Sequence, residues 1–361
     1  MTHSKINVLV VDDSQVARQL LVHLLESDPQ IRVIGVVNDG RDAVDFVAAN
    51  PPDVVLMDIH MPVLDGFEAT RRIMETQPVP IIICSATTDT REVATTFRMM
   101  EAGAVACVEK PVAREHNDFE QLTANLLQTV KLMSEVKVVR RWPRSRRASL
   151  SALTALPVGL KPAPVAGTRF IGIGASTGGP PVLQTILAGL PKDFPVPILV
   201  VQHIAHGFLP GLVEWLNQTT ALQVHIAAHG MSPLPGHVYF APDGLHMAVS
   251  SGRLVLTREE PENGLRPAVS HLFRSLAETC GANALGVLLS GMGKDGAAEL
   301  KLMKDRGATT IAQDRESSVV HGMPGEAIQL GGVTHVLAPE KIAGSLLMLA
   351  HRRPAHGGTE L

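Results

Sequence analysis

Two sets of polar residues are spaced as if to do chemistry. The first is Asp12-Asp13, Asp58, Ser85 and Lys110. Each lies at the end of a short apolar run: 6–11, 54–57, 79–84 and 104–108. If these runs are parallel strands, their carboxyl ends open on one crevice, and the three acids, the hydroxyl and the lysine converge there. Three carboxylates at one point repel unless a cation sits among them. Hard oxygen donors with room for water suit Mg²⁺. A carboxylate so placed can attack a phosphoryl donor and form an aspartyl phosphate. Asp58 is the candidate nucleophile and a metal ligand, and Asp12 and Asp13 are the other two ligands. Lys110 pairs with the phosphoryl oxygens, and Ser85 hydrogen-bonds one of them. Each of these residues taken singly could equally be a solvated loop residue.

The second set is Ser176, His203 and Asp295. Gly174-Ala175-Ser176-Thr177-Gly178 fits G-x-S-x-G, whose glycines permit a sharp strand-to-helix turn that exposes the hydroxyl. A helix beginning near Gly179 surrounds that hydroxyl with free backbone N–H groups. His203 ends the next apolar run, and Asp295 follows the run 284–290 within Gly291-Met292-Gly293-Lys294-Asp295-Gly296. Serine needs a base to take its proton, and the base needs an acid to fix its tautomer. The order Ser…His…Asp differs from that of the α/β-hydrolases, but geometry and not order defines a triad. Blander roles compete: Ser176 as a helix N-cap, His203 as a buried strand-end histidine, Asp295 as the cap of a helix starting at Gly296. Asp243 and Asp314 also lie near turns and compete for the acid's place. Gly172 and Gly174 could instead open a dinucleotide fingerprint. Its third glycine is replaced by Thr177, and Gln202-His203 offers no acid for a ribose.

Around these residues the chain alternates strand-like and helix-like patterns. In the first part, runs 6–11, 31–37, 54–57, 79–84 and 104–108 alternate with amphipathic stretches 16–26, 66–75 and 91–102. This predicts a flavodoxin-like (βα)5 α/β domain over residues 1–135. Residues 136–167 hold no acid, cluster Arg140, Arg141, Arg144, Arg146 and Arg147 around Trp142-Pro143, and continue rich in Ala and Pro; they read as a linker. Its basic part is either a solvated tether or a segment that docks on an acidic surface. From residue 168 the rhythm returns, with strands expected at 170–174, 198–202, 284–290, 309–312 and 334–337. This predicts a doubly wound parallel-sheet domain over 168–354, with a β-hairpin excursion drawn from short strands at 225–227, 237–240, 246–249 and 254–257. Residues 355–361 read as a tail.

Composition narrows the function. The net charge of −3 argues against a nucleic-acid protein held by a basic field. Aromatics are 3% of the 361 residues, so the cores must be aliphatic, as in parallel α/β sheets. Cys84, Cys107 and Cys280 are too few and too widely spaced for a zinc site or a disulfide framework, which points to a reducing, cytoplasmic setting. The apolar run at the N-terminus is too short for a signal peptide or a membrane insertion. His225, His229 and His237 lack fixed ligand spacing.

Residues 5–130 resemble response-regulator receiver domains through Val10-Val11-Asp12-Asp13-Ser14, Leu56-Met57-Asp58-Ile59-His60-Met61-Pro62, Asp65-Gly66, Ser85-Ala86 and Glu109-Lys110-Pro111. One position departs: Cys107 stands where receivers usually carry a switch aromatic. Residues 168–350 resemble the catalytic domain of the protein-glutamate methylesterase family. The matching stretches are Ile173-Gly174-Ala175-Ser176-Thr177-Gly178-Gly179, Gln202-His203-Ile204, Gly207-Phe208, Tyr239-Phe240-Ala241-Pro242, His246-Met247, the loop 291–296, Ile311-Ala312-Gln313-Asp314 and Gly322-Met323-Pro324. Leu265-Arg266-Pro267-Ala268 departs from the family's His-Arg-Pro-Ser. The resemblance implies Ser176, His203 and Asp295 as the triad and Thr177 and Met292 as oxyanion backbone donors, with no cofactor at that site. It also implies a histidine kinase as phosphodonor, a methyl-accepting chemotaxis receptor as substrate, and release of ammonia from receptor glutamines. A phosphorylation-sensitive receiver that covers the catalytic crevice is the expected control. The alternatives are a receiver-controlled, non-catalytic receptor-binding adaptor and a receiver fused to a nucleotide-binding domain.

Overall fold

The computed structural model describes residues 5–85, 97, 99, 100, 102–111, 116–136, 138 and 168–350. The chain divides into two compact units, residues 1–146 and 147–361. Of the helix expected at 91–102, residues 97, 99, 100 and 102 are described and helical; the rest of it, nearly all of the linker and the tail lie outside the described residues.

In the first unit β1 (Ile6–Val11), β2 (Ile31–Val37), β3 (Val54–Met57), β4 (Ile81–Ser85) and β5 (Ala106–Glu109) form one sheet in the order β2-β1-β3-β4-β5. Every pairing is parallel. Val8, Leu9 and Val10 of β1 and Val54 and Val55 of β3 are fully buried, which is why these strands read as unbroken apolar runs. The helices α1 (Gln15–Glu26), α2 (Gly40–Ala49) and α3 (Gly66–Thr76) start where a side-chain oxygen can take a free N–H. Ser14 accepts from Ala17, Asp39 from Arg41 and Asp42, and Asp65 from Glu68. A further helix, α4 (His116–Ser134), is tied to the end of α1 by an ion pair between Lys131 and Asp28. The strand order reverses between β1 and β3, so the crevice lies past their carboxyl ends.

The second unit is built on seven parallel strands: β6 (Phe170–Ala175), β7 (Ile198–Gln202), β8 (Gln223–Ile226), β9 (His237–Phe240), β12 (Ala284–Leu288), β13 (Thr309–Gln313) and β14 (His335–Leu337). Their order is β14-β13-β12-β6-β7-β9-β8. The hairpin region is sharper than its sequence pattern. Of the four short strands expected there, β8 and β9 pair in parallel and extend the main sheet. β10 (His246–Ser250) and β11 (Arg253–Thr257) form a separate antiparallel hairpin. Among the described residues six α-helices accompany the sheet: α5 (Gly179–Ala188), α6 (Leu209–Thr219), α7 (Val269–Thr279), α8 (Ala297–Asp305), α9 (Met323–Gln329) and α10 (Pro339–Ala350). Phe273 and Leu276 of α7 pack with Leu199, Leu288 and Met247 into one core, which seats α7 between the main sheet and the hairpin. Here the order reverses between β6 and β12, strands more than a hundred residues apart in sequence. No helix among the described residues is long and apolar enough to cross a membrane.

Candidate functional sites

The first unit brings its acids together as expected. Asp12 and Asp13 follow β1, Asp58 follows β3, Ser85 is the last residue of β4, and Lys110 follows β5. One carboxylate oxygen from each of Asp12, Asp13 and Asp58 lies within 4.8 Å of the others. Lys110 Nζ is 2.6 Å from Asp12 Oδ2 and 3.0 Å from Asp58 Oδ1. Asp12, Ser85 and Lys110 are buried, whereas Asp13 is exposed, so the cluster opens to solvent on one side. Burial is the largest influence on Asp58 and raises its pKa; Lys110 pulls it back, Asp12 pushes it up again, and the net shift is upward. Lys110 is pulled down by its own burial, but the charge of Asp58 and the close carboxylate of Asp12 hold it above its ordinary value. The cluster is thus short of positive charge, and its hard oxygen donors fit a divalent cation. Ser14, next to the acids, serves as the cap of α1. Cys107 on β5 is half-buried, and burial holds its thiol well above the ordinary range, so the position of the expected aromatic carries a neutral thiol.

In the second unit three loops meet past the ends of β7, β6 and β12. Ser176 N donates to Ser290 O at 3.0 Å, and His203 N donates to Ala175 O at 2.9 Å. These bonds carry the sheet register one step beyond the strands, so Ser176 sits between its partners from both sides. Gly178 holds φ at +76° between Ser176 and α5, in the left-handed region that favours glycine. A Cβ on Gly291 would come within 2.7 Å of Ser176 Cβ, so only glycine lets the 291–296 loop pass this close to the serine.

Of the three competing acids, Asp295 is the one beside the histidine. Its Oδ2 is 2.9 Å from His203 Nε2. Asp243 is engaged elsewhere, accepting from Gly207 N and lying 3.4 Å from His206 Nδ1. Asp314 accepts from the N–H and hydroxyl of Ser317. Asp295 is also a cap, but not of the helix that follows it. It accepts from Val269 N at 2.7 Å and Ser270 N at 3.0 Å, the first two N–H groups of α7. The N-cap residue Ala268 has no side chain to supply that bond. The positive end of α7 therefore faces Asp295. Burial favours the neutral carboxyl, but the nearby imidazole of His203 and the bond from Ser270 outweigh it and hold the pKa below the ordinary value.

A depressed carboxyl contributes stability above the ordinary aspartate range and loses it as the pH falls through the folded value. Asp295→Asn should lower the thermal midpoint at neutral pH and flatten its decline between about pH 5 and pH 2. Melting curves of both proteins across that range check this; parallel curves would contradict it.

Of the expected backbone donors, Thr177 follows Ser176 on the same loop and Met292 lies on the neighbouring 291–296 loop. Ser290 Oγ donates to Thr177 O at 2.8 Å, and the Met292 loop is held by the bonds of Gly291 to Val320, Gly322 and Met323. No hydrogen bond joins Ser176 Oγ to His203 among the described residues; in free enzymes such contacts are often long and tighten on substrate. His225 Nε2 and His237 Nδ1 bond each other at 2.9 Å, and His229 Nδ1 accepts from Leu256 N. The residues that sequence reasoning left unassigned are the supports: Ser270 and Ser290, the amide of Gln202, and His246. His246 Nδ1 accepts from Ala268 N at 3.3 Å, linking the hairpin to the start of α7. Their signal in the sequence was slight, since each is a polar residue beside an apolar run.

The response regulator receiver domain model matches residues 8–118, and the CheB methylesterase model matches residues 171–346. A protein-glutamate methylesterase/protein-glutamine glutaminase of Nitrosospira multiformis is 54% identical over 96% of this chain and 98% of its own length. One from Geobacter metallireducens is 54% identical over 96% of this chain and 99% of its own. A third, from Syntrophus aciditrophicus, is 52% identical, again over 96% and 98%. With likeness of this degree running through both units in the same order, the chain belongs to the CheB methylesterase family, in the form that carries a response regulator receiver domain ahead of the methylesterase domain.

Proposed function

We propose that this protein is a phosphorylation-controlled serine hydrolase that removes methyl esters from glutamate side chains of methyl-accepting chemotaxis receptors and deamidates receptor glutamines. The observation that carries the reading is a buried carboxylate, on the loop beside Ser176, whose Oδ2 lies 2.9 Å from His203 Nε2. Ser176 Oγ attacks the ester carbonyl and passes its proton to His203 Nδ1, the ring nitrogen turned away from Asp295. The C–O bond to the methoxy group breaks, and His203 returns the proton to give methanol. Water, deprotonated by the same imidazole, then cleaves the glutamyl ester of Ser176. Asp295 stabilises the imidazolium. Backbone N–H groups of Thr177 and Met292 hold the oxyanion, an interaction worth roughly 3–4 kcal/mol per donor. A glutamine side chain follows the same course with ammonia as the leaving group.

Residues 1–135 serve as the receiver, 136–167 as the linker, 168–354 as the esterase and 355–361 as a tail. The protein works in the cytoplasm beside a histidine kinase that supplies the phosphoryl group. Asp58 accepts that group, with Lys110 and Ser85 on its oxygens. Asp12, Asp13 and Asp58 would hold Mg²⁺, which offsets the charge of the phosphoryl group when bound. Methanol release from methylated receptor membranes tests the reading. Adding a small phosphodonor with Mg²⁺ should raise the rate about tenfold, within the usual range of allosteric coupling, and Asp58→Asn should abolish that rise. A rise that persists in Asp58→Asn would remove Asp58 from the role.

A further inference from the structure

Gln202 is the last residue of β7, and its side chain is buried at 5% exposure beneath the serine and histidine loops. One end of its amide does two things. Nε2 donates to Ser176 O at 2.9 Å and to His203 O at 2.8 Å. Ser176 O also accepts from Gly179 N at 2.8 Å, so the same carbonyl closes the turn into α5. The other end, Oε1, is buried with no hydrogen-bond partner. A Cβ on Gly179 would lie 2.3 Å from Oε1, so the amide is wedged against the bare Cα of the first residue of α5. A buried carbonyl left unpaired is unfavourable. The fold accepts it in an orientation that spends both donor bonds on the residues proposed as nucleophile and base.

Resting on the esterase reading, we infer that Gln202 is a positioning residue: its amide clamps the serine loop to the histidine loop and sets the distance from Ser176 Oγ to the imidazole. The strand bonds alone do not do this, because the register contact His203 N to Ala175 O ends one residue short of the serine. Misplacement of reacting groups by about 1 Å costs on the order of 10²-fold in rate. Gln202→Met keeps the length and the burial and removes both donors. Gln202→Glu keeps the shape and presents oxygen to two carbonyl oxygens.

The experiment measures methanol release and the rate at which a fluorophosphonate modifies Ser176, in the full chain and below the melting temperature of each variant. For both variants kcat should fall about 10²-fold with KM changed by less than about threefold, and the modification rate should fall in parallel. The fluorophosphonate makes no receptor contact, so a parallel loss locates the effect between serine and imidazole, where a merely stabilising side chain would leave folded enzyme unaffected. Modification and kcat both within about threefold of wild type in Gln202→Met would overturn the inference, as would a loss confined to KM. Should Gln202→Met fail to fold, Gly179→Ala asks the same question by pushing on the amide from its other end. Failure of the esterase reading looks different: wild-type Ser176 is then not modified at all, and Ser176→Ala leaves methanol release intact.

Discussion

Replacing Asp295 by asparagine is expected to lower kcat for methanol release about 10⁴-fold. The carboxylate now accepts on both oxygens. Oδ2 takes Val269 N–H and faces His203 Nε2, and Oδ1 takes Ser270 N–H. An asparagine has one acceptor and one donor group, so its NH₂ must take either the Oδ2 place, at the imidazole and Val269 N–H, or the Oδ1 place, at α7 through Ser270 N–H. Turned at the imidazole, it demands an unprotonated Nε2 and moves the ring proton to Nδ1, where it can no longer take a proton from serine. Turned at α7, it opposes backbone donors at the positive end of the helix, and the acid's support of the imidazolium is still gone. Both orientations predict a large loss in kcat with a small change in KM, together with the altered acid stability described above. Fluorophosphonate modification of Ser176 should slow by a comparable factor. An asparagine variant retaining a tenth or more of wild-type turnover would show that Asp295 is only a helix cap.

Ser176→Ala should be larger still in rate and nearly silent in stability. Ser176 is held through its backbone: its N–H binds Ser290 O, and its carbonyl binds Gly179 and Gln202. The hydroxyl itself has no structural bond among the described residues. Removing it therefore deletes the proposed nucleophile and leaves the turn, α5 and the register intact. Methanol release should drop on the order of 10⁶-fold, while the thermal midpoint changes by no more than a surface substitution would change it. Turnover that survives Ser176→Ala with the fold preserved would remove the acyl-enzyme mechanism. A collapse of the thermal midpoint would instead show that the hydroxyl is structural.

Much of this protein is legible in one dimension. Parallel strands buried on both faces write themselves as unbroken runs such as Val8–Val11 and Val54–Met57, and the polar residue ending each run must lie at the same edge of the sheet. That is why Asp12, Asp13, Asp58, Ser85 and Lys110 could be grouped without coordinates, and why Ser176 and His203 could be paired. The excursion was less legible. β8 and β10 are both short runs between glycine and proline turns, and nothing in either states which neighbour takes its hydrogen bonds; the sheet edge beside β7 took the pair β9-β8, and the next two strands had only each other.

The third acid marks the boundary most clearly. Composition and spacing put Asp243, Asp295 and Asp314 on equal terms, and only the resemblance to a known family preferred Asp295. In the folded chain the choice is made by β12 lying beside β6, and by a helix from a different part of the chain. The start of α7, uncapped at Ala268, needs an acceptor and takes the carboxylate that also faces His203. By itself, then, the sequence determined the two α/β units and which residues stand at strand ends, because burial and strand periodicity are local properties of the chain. The tertiary structure decided which acid serves the histidine and which amide spans the two loops, because those choices depend on strand order and on hydrogen bonds between segments that no local pattern records.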